Sequence, residues 1–182
     1  MMATKSTGEK WTRWIWVGAL VLLLIPFIAM RLTSEVNWTL GDFIFAGLML
    51  AALCGTVELA VRRSSKAIYR WAIGLAGLGA FAVIWVNLAV GIVASEDNDY
   101  NSVFMAIILL TVIGSALVRL RARAMARILP VTAVALLVAL GIGQFLGSDE
   151  LHDTRLAEWT GVTLFAGMFA VSAMLFRDAA SE

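Results

Sequence analysis

The stretch "LCGTVELAVRR", residues 53–63, holds the first side chain that could do chemistry: Glu58, a carboxylate among small and apolar residues until Arg62 and Arg63. In an apolar medium such a group can bind a proton or a cation, or it can receive hydrogen bonds from a neighbouring helix. On a wheel of about 100° per residue, Gly47 and Ala51 fall within about 20° of Glu58 and Gly55 within about 60°. That face is a small-x-x-x-small stripe, which lets helix backbones approach closely, so Glu58 is expected to point at another helix. Arg62 lies four residues further on, the favourable order for a Glu–Arg pair. A partner-satisfied interhelical anchor is the leading reading, and a proton- or cation-binding carboxylate is the alternative.

Other polar residues invite the same two readings. Asn87, in "IWVNLAVG", shares its face with Ala76 and Ala80; its default is an interhelical hydrogen bond worth about 0.6 kcal/mol. Gln144 is read alike, with Thr111, Ser115, Thr132 and Thr163. Together these could line a polar path, yet no periodic stripe joins them. "SEDNDYNS" (95–102) offers Glu96, Asp97 and Asp99 as oxygen ligands for a hard cation, without the glycine and spacing of a calcium loop. Solvated acids, with Asn101 or Ser102 capping the next helix, are the expectation there. "SDELHD" sets His152 among Asp149, Glu150 and Asp153, a weak divalent-metal pattern more simply read as a solvated turn. "RLRARAMAR" (119–127) is expected to place Arg119, Arg123 and Arg127 on one helical stripe facing anionic lipid head groups, at about 1 kcal/mol per basic residue. Thr39 with Asp42 reads as a capping box at a helix start.

Several chemistries are excluded. One cysteine, Cys54, forms no intrachain disulfide or cysteine metal cluster, and one histidine leaves no bis-histidine haem. "IGSA" (113–116) invites comparison with rhomboid-type intramembrane serine proteases, but residues 162–176 hold no base to activate Ser115. No phosphate loop, dinucleotide fingerprint or H-E-x-x-H motif is present. No enzyme activity, cofactor, metal or nucleic-acid partner is expected.

The elements that must position these residues follow from composition. The chain of 182 residues is 61% hydrophobic and 15% charged, against about 25% charged in ordinary soluble domains. Apolar runs at approximately 14–30, 39–61, 71–94, 103–120, 128–147 and 156–176 are each long enough to cross a hydrocarbon core about 30 Å thick. Lipid offers the backbone no hydrogen-bond partners and barrel strands would be shorter and alternating, so the fold class is all-α. A polytopic transmembrane helical bundle of six helices is expected, as three successive hairpins in a single domain over 1–182. The first run could be a signal peptide, but "FIAMRL" is a poor cleavage site and a true span is expected. Pro26 should kink that span or loosen its last turn.

Of the fourteen Lys and Arg residues, twelve fall on one side of this alternation: Lys5, Lys10 and Arg13; Arg62, Arg63, Lys66 and Arg70; Arg119, Arg121, Arg123 and Arg127; and Arg177. The positive-inside rule then puts both termini in the cytoplasm. Trp11, Trp14, Trp16, Tyr69 and Trp71 fall at the basic boundaries and Trp38, Tyr100 and Trp159 at the others, whereas Trp85 lies inside a span as a packing residue. Arg13, Arg70 and Arg127 recur at a spacing of 57 residues, which suits either a duplicated hairpin or hairpins of equal length by chance.

At "EVNWTLGDFIFAGLML", "ELAVRR", "WVNLAVGI" and "SEDN" the chain resembles a group of small uncharacterised multi-pass membrane proteins of bacteria, over residues 35–178. That resemblance implies a bacterial inner membrane and brings no activity or site residues. The expected protein is a non-enzymatic structural or accessory component that packs through its helices with itself, as a homo-oligomer, or with another membrane protein. The competing expectation is a small-solute, ion or proton pathway through Glu58, Asn87 and Gln144.

Overall fold

The computed structural model describes residues 3–95, 97–146 and 155–181, with the side chains of residues 3–12 outside that description. Among the described residues there are six α-helices and no strand: α1 Ala3–Leu32, α2 Leu40–Arg63, α3 Ala67–Ala89, α4 Ser102–Leu117, α5 Ala122–Leu146 and α6 Arg155–Ser181. Each of the six, α4 together with the 3-10 turn Asp99–Asn101 before it, is long and apolar enough to cross a membrane. The all-α, six-helix class expected from the apolar runs is therefore the fold. The chain forms two compact units, Met1–Ser65 and Lys66–Glu182.

The first unit is the hairpin of α1 and α2. α1 continues past Pro26 to Leu32. At the start of α2 the Thr39 hydroxyl accepts from the Asp42 N–H while the Asp42 carboxylate accepts from the Thr39 N–H at 2.7 Å. This is the capping box that the spacing requires, satisfying donors that have no intrahelical acceptor.

The second unit is a closed ring of four helices, in which α3 packs on α4 and α6, and α5 on α4 and α6. Its core holds Ile73 and Val83 of α3, Phe104 and Ile108 of α4, Leu129, Leu136 and Leu140 of α5, and Phe169 and Phe176 of α6. Lys66 donates to the Ala179 carbonyl and Tyr69 to the Leu120 carbonyl, so the basic starts and finishes of these helices meet at one end.

Two boundaries differ from the sequence expectation. α3 stops at Ala89, not 94, because the backbone turns left-handed at Gly91 (φ +75°) and again at Ala94 (φ 62°). A Cβ on Gly91 would stand 2.4 Å from the Ser95 carbonyl oxygen, so only glycine allows the loop to fold back this tightly. α4 stops at Leu117, followed by left-handed Arg119 (φ 54°) and Leu120 (φ 55°), whose N–H groups return to Ala116 and Ser115. Arg119 therefore does not share a helical stripe with Arg123 and Arg127, which lie on α5. No glycine or proline marks this stop. The reversal is a helix C-cap closed by residues that seldom adopt positive φ, and the Leu120 carbonyl is held from outside by Tyr69.

Nor does the even spacing of 57 residues carry into equal helices: α4 has 16 residues and α6 has 27.

The start of α4 approaches α5 closely at Gly143. A Cβ there would lie 2.6 Å from the Tyr100 ring, which is itself pinned by a hydrogen bond from its hydroxyl to the Ala139 carbonyl. At Gly141 the nearest atom would be 4.0 Å away. Gly143→Ala is therefore expected to destabilise the protein by about 1–3 kcal/mol through overpacking, seen as a lower midpoint of thermal unfolding in detergent. Gly141→Ala should leave that midpoint nearly unchanged.

Candidate functional site

In the first unit Glu58 meets α1, as its small-residue face predicts. Gly47, on the same face, lies against Leu23 of α1, and Leu50 and Cys54 are buried. One carboxylate oxygen of Glu58 accepts a hydrogen bond from the Trp16 indole at 3.2 Å, and the other pairs with Arg62. The Glu58 side chain is 27% exposed and that of Arg62 74%, so the guanidinium reaches outward while the carboxylate stays against α1. Both oxygens have a partner. Trp16 had been legible only as a boundary aromatic, since indole donor geometry is a property of two helices at once.

In the second unit several polar residues of the spans are also engaged. Thr111 of α4 and Thr132 of α5 share a hydrogen bond of 2.8 Å. Ser115 donates to the Thr111 carbonyl on its own helix, and Ser172 of α6, fully buried, donates to the Ala72 carbonyl of α3 at 2.7 Å. Thr163 is exposed. Gln144, at the far end of α5, donates through its amide to Glu158 in the first turn of α6. Glu158 also accepts from the Ala94 N–H at 3.1 Å, tying the loop after α3 to α6. Nothing in the residues around Glu158 singles it out, since its partners come from α5 and from the loop after α3.

Asn101 does not cap α4, as "SEDNDYNS" suggested. Its side-chain oxygen accepts from the N–H groups of Ile92 and Val93, and its amide donates to the carbonyls of Val93 and Ser95. Asn101 is buried and organises the loop, because the left-handed turn at Gly91 aims those backbone groups inward, where water does not reach them. Ser102 donates to the Asp99 carbonyl, and Asn98 caps a short 3-10 turn at Asp99–Asn101.

Asn87 departs from its expected role. It is only 6% exposed, yet its Oδ1 is buried without a hydrogen-bond partner. It lines a depression of about 440 Å³ with Leu88, Asp97, Asn98, Asp99, Asn101 and Ser102. Glu96 and the His152 turn with Asp149, Glu150 and Asp153 lie outside the described residues. Among the described residues no three His, Cys, Asp or Glu side chains cluster as a metal group. Trp85 stacks on Phe81 with ring centroids 5.8 Å apart, the packing role expected of it. Arg119, Arg123 and Arg127 are exposed.

Six long apolar helices with polar side chains turned onto neighbouring helices define a multi-pass helical membrane protein. No family model, no curated protein and no solved structure matches the chain.

Glu58 and Trp16 are expected to be energetically coupled. A double-mutant cycle of Trp16→Phe and Glu58→Gln, read by unfolding in detergent, should give a coupling of about 0.6 kcal/mol, and no more than about 2. Arg62→Ala alone should cost less, because its pair is more exposed.

Proposed function

We propose that this protein is a non-enzymatic structural or accessory component of a bacterial inner membrane, acting through helix packing with a second copy or with another membrane protein. One observation carries the reading: four of the five packed helix pairs carry a side-chain hydrogen bond across their interface. α1–α2 has Trp16–Glu58, α4–α5 has Thr111–Thr132, α5–α6 has Gln144–Glu158, and α6–α3 has Ser172–Ala72. Tyr69 joins α3 to the turn after α4. Of the three residues that a conduction path would use, Glu58 and Gln144 are thus engaged with side chains of a neighbouring helix, and Asn87 is not.

The arginines at one end of the second unit suit anionic head groups, and the bias of Lys and Arg favours cytoplasmic termini. The resemblance over residues 35–178 supports the bacterial inner membrane. Reconstitution into liposomes tests the proposal. Proton and potassium flux through proteoliposomes should match that of protein-free vesicles, and Glu58→Gln should leave it unchanged while lowering thermal stability. Wild-type flux that Glu58→Gln abolishes would replace this reading with a transport one.

A further inference from the structure

The depression at the end of α3 contains a side chain that the helix-packing account does not use. Asn87 is only 6% exposed, and among the described residues its side-chain amide makes no hydrogen bond. Its Oδ1 is enclosed, so the end of the amide that reaches the depression is the Nδ2 donor. A donor held there calls for an acceptor oxygen opposite it. The rest of the lining supplies the complementary chemistry: Asp97 and Asp99 stand exposed on the loop before α4, where they attract positive charge. Leu88 adds an apolar edge, 49% exposed beside Asn87. The other amides are committed, since Asn101 Oδ1 holds two backbone N–H groups and Asn98 Oδ1 holds the Tyr100 N–H. An occupant that suits the whole lining carries an acceptor oxygen, a cationic group and an apolar part close together.

We propose that this depression binds the head group of an ethanolamine phospholipid. A phosphate oxygen accepts from Asn87 Nδ2, the ammonium donates to Asp97 and Asp99 in charge-assisted hydrogen bonds, and the acyl chains leave along Leu88. The head group is a zwitterion, so the carboxylates that would repel a phosphate alone are answered by the ammonium beside it. Ser102, the first residue of α4, lines the same depression, and the positive end of that helix favours the phosphate. The position along the chain agrees. Asn87 lies in the last turn of α3, within a membrane-crossing segment, and Asp97 lies in the loop beyond it. The proposal depends on the membrane placement of the helices and is independent of the structural role given above. An ordered water on Nδ2 is the competing occupant, and it predicts no lipid preference.

Native mass spectrometry of the full chain, delipidated in an uncharged detergent and titrated with phosphatidylethanolamine or phosphatidylcholine, tests this. Both lipids carry a phosphate and no net charge, so the arginines at the other end of the ring do not separate them. Only the ethanolamine ammonium has N–H groups to donate. The expected result is saturable binding of one phosphatidylethanolamine, about tenfold tighter than phosphatidylcholine. Asp97→Asn with Asp99→Asn should remove that preference, with little effect on folding since both side chains are exposed. Asn87→Ala should weaken both lipids alike, because the phosphate is common to them. Equal affinity for the two lipids, or a preference for phosphatidylethanolamine that survives in the Asp97/Asp99 variant, would overturn the proposal.

Discussion

The constraint on which this structure depends is the absence of water from the hydrocarbon core of a bilayer. Lipid tails are as apolar as leucine, so burying leucine between two helices supplies little drive for their association. Packing density and hydrogen bonds decide instead which helices meet. Small residues set how near the backbones come, as at Gly47 against Leu23 and at Gly79 against Phe169. A polar side chain then fixes the register, because it is disfavoured in hydrocarbon unless it finds a partner. Trp16–Glu58, Thr111–Thr132 and Ser172–Ala72 are three chemically different answers to one requirement.

At the helix ends the same requirement takes another form. The loops after α3 and after α4 turn through left-handed backbone, so backbone groups there need partners. The loop after α3 is the fullest example. Asn101 serves four backbone groups there, Glu158 a fifth, and Gly91 allows the turn that brings them together. At the other end, Tyr69 and Lys66 hold carbonyls at the ends of α4 and α6. Side chains from one helix thereby cap another, and the ring of four closes at both ends. The buried Asn87 oxygen stands out against this background of satisfied groups.

Much of the fold was legible from the sequence because length and hydropathy are local properties. Six apolar runs gave six helices, and the capping box at Thr39 and Asp42 was readable from type and spacing alone. The small face beside Glu58 correctly implied a close helix neighbour. The donor on that neighbour was not legible, since Trp16 lies 42 residues away and nothing in either local stretch encodes their approach. The end of α4 was missed for a related reason. Arg119 and Leu120 take up left-handed backbone without glycine, and the contact that holds them, Tyr69, comes from another helix. Asn101 stands at the N-cap position of α4 but spends its side chain on the loop, two tasks that residue type and position do not separate. A bond across helices is the default for an asparagine within a span, and the Asn87 oxygen has none.

The central claim, that the polar residues within the spans close helix interfaces and do not line a water-filled route, is tested most directly by solvent access. Single cysteines at Thr111, Thr132 and Ser172, in a Cys54→Ala background, would be exposed to a charged, water-soluble thiol reagent in intact membranes. The account predicts that all three resist modification, while a cysteine at exposed Asp97 reacts readily. Rapid labelling at Thr111, Thr132 and Ser172 would mean that water reaches the interior of the ring, and would contradict it.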